Sequence, residues 1–192
     1  MNRKRFVPRA LVLVLLVILT DTSQVIAANM RSFIEGVRRK APVVYVGSIK
    51  QVQFLKRTTF DIKARAVVDV SGVMRGPGTN PVMRGPGTNP REATIEYSSY
   101  DDKTPMLAGG PQYQLNPGGK VVVFANSFAS NIPPGYLIQG SREELLQRVE
   151  ALRDALGHMS SDQLKVHEIN EEDRLVQLAL YDKLCAYLRA SK

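Results

Sequence analysis

The sequence predicts a mainly β domain with flanking helices, an α+β chain, and three observations carry that expectation. Between residues 42 and 140, β-branched and aromatic residues gather into five short runs separated by Gly- and Pro-containing stretches. From Ser141 onward the apolar residues recur at the three-to-four spacing of amphipathic helices instead. No helical pattern separates one strand from the next, which disfavours a parallel sheet with crossover helices. Five short strands with one long, curving pair fit a small closed or nearly closed β-barrel.

Each element has a local reason. Arg3, Lys4, Arg5 and Arg9 precede an apolar run, Ala10 to Leu19, and small residues follow at Ala27 and Ala28. That order is the form of a secretory signal peptide, and ten apolar residues fall well short of the roughly 20 of a membrane-spanning helix. An uncleaved N-terminal anchor is the competing reading. Cleavage after Ala27 or Ala28 predicts an exported protein, periplasmic or extracellular, with no membrane span left. The segment MRSFIEGVRRK reads as a short helix with Ser32 and Glu35 as a capping box. APVVYVGSIKQVQFL reads as a strand with a bulge or a close backbone approach at Gly47. In TTFDIKARAVVDVS the alternation of Phe60, Ile62, Ala64, Ala66, Val68 and Val70 with charged residues predicts a long, half-buried antiparallel strand.

EATIEYSS is a third, weaker strand, GKVVVFA a core strand, and GYLIQG a fifth strand after the turn-forming NIPPG. YDDKTPMLAGGPQYQLNPGG has no period and reads as loop. SREELLQRVEALRDALG starts with a second capping box, Ser141 and Glu144, and ends at Gly157 as a C′ residue. Asn170 caps a last helix with an acidic start at Glu171, Glu172 and Asp173. HMSSDQLKVHEI between them reads as a short helix or a loop. The organisation expected is therefore a signal peptide over 1–27, a β-barrel domain with flanking helices over 28–157, and a C-terminal helical extension, 158–192, packed on the barrel.

Removing the signal leaves 165 residues with a net charge of +5, enough for one domain that buries about two-thirds of its unfolded surface. Residues 28–142 carry +8 and residues 143–192 carry −3. Cys185 is the only cysteine, so the exported domain has no internal disulfide and depends on its core. Its apolar helical setting predicts a buried thiol, with an intermolecular disulfide as the alternative.

The strings APVVYVGSI, Val73-Met74-Arg75-Gly76 at the end of the long strand, GGKVVVFA and GYLIQGSREELLQ resemble the netrin-module superfamily over roughly residues 31–156. That is the OB-fold of tissue inhibitors of metalloproteinases and their bacterial secreted relatives. The resemblance implies a five-stranded OB-like barrel in an exported protein. The inhibitors chelate their target's zinc through an N-terminal Cys, whereas this mature chain would start at Ala28 or Asn29 with no Cys near. No residue is carried over for that role.

Catalytic, cofactor and metal sites are not expected. His158, His167 and Cys185 lack the spacing of a zinc site, and Asp101 with Asp102, or Ser98 and Ser99 with a distant His, lack the supporting elements of a hydrolase. GGPQYQLNPGG has no Lys-Ser/Thr for a phosphate loop. The candidate binding surface is basic: Lys50, Lys56, Arg57, Lys63, Arg65, Arg75 and Arg84, with Tyr45, Phe54 and Phe60 as aromatic neighbours. The sequence thus predicts a binding or accessory module of the cell envelope or exterior, acting through a protein partner. The alternatives are a glycan- or nucleic-acid-binding OB domain, nucleic acid being disfavoured by export, and then a hydrolase.

Between the long strand and EATIEYSS, the unit VMRGPGTNP stands twice, at residues 73–81 and 82–90. Pro then Gly suits the centre of a type II turn, and one copy alone leaves a complete strand–turn–strand. An in-frame duplication in an exposed loop should cost only about 0.6 kcal/mol of closure entropy. The functional alternative is a paired basic loop with Arg75 and Arg84 on an acidic partner.

Overall fold

A computed structural model of the chain describes residues 38–58, 62–76, 91–99, 113–132 and 136–191. After helical residues 38–40 come β1 Val43–Arg57, β2 Ile62–Arg75, β3 Glu92–Ser99, β4 Lys120–Ala125, β5 Ala129–Ile132 and β6 Leu137–Gly140. The helices α1 Arg142–Gly157, α2 Ser161–Val166 and α3 Glu171–Ala190 follow. The fold is mainly β with helices, as the alternation predicts. The signal-peptide region, most of the first predicted helix and the second copy of the duplicated unit lie outside the described residues.

Two expectations need correction. The described strands number six, not five, and they form one sheet in the order β5-β3-β2-β1-β4-β6 rather than a closed barrel. The unread strand is β5, whose sequence ASNI has apolar residues only at its two ends and no alternation. It gains its place by pairing parallel to β3 over Thr94–Tyr97, and the other strand pairs among the described residues are antiparallel.

The sheet cannot be flat. β4 and β5 stand four places apart in the order, about 19 Å in a flat sheet. Residues 126–128 join them, a link that reaches only about 14 Å when fully extended. The sheet therefore curls into a half-barrel. Across its interior the Phe128 ring meets Tyr45 of β1 at 5.5 Å between centroids.

The curl creates two cores. Inside it lie Tyr45, Ala64, Ala66, Val68, Ile95, Tyr97, Val121 and Val123. On the outer side of β1, β4 and β6, the residues Val44, Val46, Val122, Phe124 and Ile138 pack against Leu145, Val149, Tyr181, Leu184 and Leu188 of α1 and α3. β1 and β4 are thus buried on both faces, which is why VVYV and VVVFA are unbroken apolar runs. β2 and β3 wet one face and keep their alternation. The outer core runs through both α1 and α3, across residue 157.

Local signals hold at the helix ends. Ser141 and Glu144 form the reciprocal capping box, and Ser160 with Gln163 forms another that starts α2. The Asn170 side chain caps α3 by accepting from the Asp173 N–H. Gly157 is the last residue of α1, not a C′ glycine, and His158 closes the helix instead. At Gly47 the β1–β2 register shifts, and a Cβ there would stand 2.4 Å from the Asp69 carbonyl oxygen. Both a bulge and a close approach are present. A Cβ on Gly72 would lie 2.6 Å from the Tyr187 ring, so α3 rides directly on β2 there.

Candidate functional site

Past its pairing with β4, the outer half of β1 continues as an arm covered by β2, while β2 itself stays paired with β3 as far as Ile62. β4 pairs with β1 only over Val43–Ser48. Among the described residues the last backbone contacts on that side are Ile49 N–H to the Gly119 carbonyl, 2.8 Å, and Gly118 N–H to the Ile49 carbonyl, 2.7 Å. Beyond them β1 continues to Arg57 with β2 as its partner, and the register skips at Lys50 and Leu55. Burial stops at the same place: Ile49 is core, whereas residues 51–57 are exposed apart from half-buried Val52. Phe54 is 69% and Leu55 39% exposed. An exposed Phe beside an exposed Leu costs apolar hydration that a core position would avoid.

The candidate cations divide three ways. Lys50, Lys63 and Arg65 form a cross-strand row that β3 largely answers. Lys50 pairs with Glu92, Arg65 Nε donates to Glu96 at 3.0 Å, and Lys63 Nζ donates to Ser98 Oγ at 2.9 Å. The hydrogen bond to Glu92 and that carboxylate's charge push the Lys50 ammonium up from its ordinary pKa. Lys56 and Arg57 sit further out, and Lys56 stands opposite Lys63 in the β1–β2 ladder. Like charges in that position destabilise a hairpin. Lys56 has no carboxylate partner among the described residues.

Arg75 is at the other end of the hairpin and is committed to structure. Its guanidinium donates to the carbonyls of Arg39, 2.9 Å, and Ala41, 3.2 Å, and to Gln177 Oε1, 3.3 Å. Burial pushes its pKa down. Next to it Lys183 Nζ donates to the Met74 carbonyl at 2.8 Å, so α3 clamps the end of β2. Arg84 lies outside the described residues, as does Phe60. Tyr45 is fully buried in the inner core and offers no aromatic platform, which leaves Phe54. Leu55 escapes a sequence reading because the register skip, not alternation, exposes it.

Two open clefts flank the helices. One of about 460 Å³ is lined by Gly47, Ser71, Lys120, Arg142 and Tyr187. Its Arg142 is held by the Ser191 carbonyl and by Glu143. The other, about 350 Å³, is lined by Gln114, Asn116, Gln139, Glu144 and Arg148. Glu144 there serves the capping box.

The residues weighed for chemistry are scattered. His158 Nδ1 lies 2.7 Å from the Asp154 carbonyl, and His167 closes α2. Ser98 binds Lys63, Ser99 is buried, and Asp101 and Asp102 lie outside the described residues. Among the described residues no three His, Cys, Asp or Glu side chains gather to hold a metal. Cys185 is buried, and burial raises its thiol pKa. Among the described residues no helix is long and apolar enough to cross a membrane. No known protein-family model and no curated protein matches the chain.

Proposed function

We propose that this chain is an exported binding module of OB-like build that works through a protein partner, engaged by the outer arm of β1. The observation that carries the reading is the arm itself: Phe54 and Leu55 exposed side by side, with Lys56 and Arg57 adjoining them, beyond the last contact with β4. Exposed aromatic and aliphatic residues ringed by charge are the anatomy of a protein-binding patch.

Strand pairing supports the OB-like, netrin-like build. β1, β2 and β3 form a meander, β1 also pairs with β4, and β3 pairs in parallel with β5. β5 bonds β3 and β6 bonds β4 at the two ends of the strand order, the edges that a small Greek-key barrel would bring together. Export rests on the order of charge, apolar run and small residues over 1–27.

The second reading, an OB surface for glycan or nucleic acid, draws on the basic row across β1–β3. Glu92 and Glu96 within that row weaken it, since phosphate binding needs cations free to replace counterions.

The test is affinity capture from an envelope extract with the tagged chain, beside its Phe54→Ser/Leu55→Ser variant. One partner retained by the first and lost by the second is expected. Equal recovery by both would remove the arm from the account. Cell fractionation with N-terminal sequencing reads export separately, and a chain found whole in the cytoplasm would refute it.

A further inference from the structure

Among the described residues, six consecutive residues of β1, Gln51–Lys56, have a strand on one side only. β2 covers one edge, the β4 ladder ends at Ser48, and the turn at Gly118 and Gly119 reaches no further than Ile49. Among the described residues no strand or bridge takes up the other edge. Backbone groups alternate between the two edges of a strand, so a run of unpaired N–H and C=O groups about 20 Å long faces outward here. Such an edge is a template for another chain.

We infer that this edge is a strand-addition site for an extended, acidic segment of the partner protein. The inference rests on the protein-partner reading of the arm. In it the incoming backbone completes the ladder along Gln51–Lys56. An apolar side chain of the segment packs on Phe54 and Leu55, and a carboxylate faces Lys56.

Two other occupants fit less well. A second copy of the chain, paired along the same six residues, would bring no carboxylate to Lys56, since Gln51–Lys56 holds none. A lipid surface would take the apolar pair and the charge but leave the edge's backbone groups without partners in hydrocarbon.

The probe is an acetylated, amidated peptide of four Val-Glu repeats, fluorescently labelled and titrated with the full chain while anisotropy is read. Two further peptides carry N-methyl groups on alternate amides, one set on each parity. Strand addition uses one edge of the peptide, so one methylated peptide should bind at least tenfold more weakly than the other. The Val-Lys counterpart should not bind, and Phe54→Ser, at an exposed position that leaves the thermal transition in place, should weaken the Val-Glu peptide about tenfold. No binding of the Val-Glu peptide overturns the inference, as does an equal effect of the two methylation patterns. So does a chain that instead sediments with phosphatidylglycerol vesicles or dimerises through Phe54. If the peptide arm fails while envelope capture still depends on Phe54 and Leu55, strand addition is wrong and the partner reading stands. If capture ignores the arm, the partner reading itself has failed.

Discussion

Two tyrosines in the inner core should respond with opposite signs to the same substitution. Tyr45 is fully buried, and its hydroxyl has no hydrogen-bond partner among the described residues. Its ring earns the position through packing on Phe128, and desolvation raises the phenol pKa well above its ordinary value. A buried hydroxyl without a partner costs about 1–3 kcal/mol. Tyr45→Phe keeps the ring and removes that cost, so the folded state should gain about 1–2 kcal/mol. Tyr113 is also buried, but its hydroxyl accepts from the Leu137 N–H at 3.3 Å. Tyr113→Phe leaves that buried N–H unpaired and should lose about 1–3 kcal/mol. With a urea slope of about 2 kcal/mol/M, the two variants should differ by roughly 1–2.5 M in midpoint. Urea titrations followed by far-UV circular dichroism read this directly. A destabilised Tyr45→Phe, or two variants that shift the same way, would show that the Tyr45 hydroxyl is satisfied and refute the reasoning.

Three further outcomes follow from local structure. Glu168 occupies a left-handed conformation, φ 52°, just past α2, where Ile169 N–H bonds the Leu164 carbonyl and Glu168 N–H the Lys165 carbonyl. Glycine suits that position better, so Glu168→Gly should stabilise by about 1 kcal/mol; a lowered melting temperature would contradict it. The Ser141 backbone N–H, then its hydroxyl, hold the Glu144 carboxyl below the ordinary 4.5. That contribution is present above the unfolded pKa and is lost as the pH falls through the lower folded one. Glu144→Gln, which keeps the capping box, should therefore flatten the acid side of the stability–pH curve below about pH 4.5, and an unchanged curve would count against it. Deleting residues 82–90 should leave a cooperatively folding chain within about 1 kcal/mol of the parent by thermal melting, whereas misfolding would restore a structural role to the second copy.

What the sequence made legible was whatever depends on nearest neighbours. The close approach at Gly47, the Ser141–Glu144 capping box, the Asn170 cap and the core setting of VVVFA follow from composition and spacing within a few residues. What it hid depends on partners far along the chain. ASNI becomes a strand only because Thr94–Tyr97 offers it a parallel edge. Arg75 looks like a surface cation until Gln177, 102 residues on, and the carbonyls of residues 39 and 41 surround it. Lys50 and Arg65 read as a basic patch because Glu92 and Glu96 reach them only through the β2–β3 register. Exposure of Phe54 and Leu55 required knowing where β4 stops.

The wall shared by the two cores also divides the molecule by lifetime. Amides of Val44, Val46, Val122 and Phe124 sit between both apolar layers, so only global unfolding should admit deuterium to them. Along Gln53–Lys56 the same strand has one neighbour and little burial, and it should exchange through local fraying. A continuous β1 thus joins the slowest-exchanging backbone of the protein to some of its fastest. The arm can open and close many times while its root stays shut.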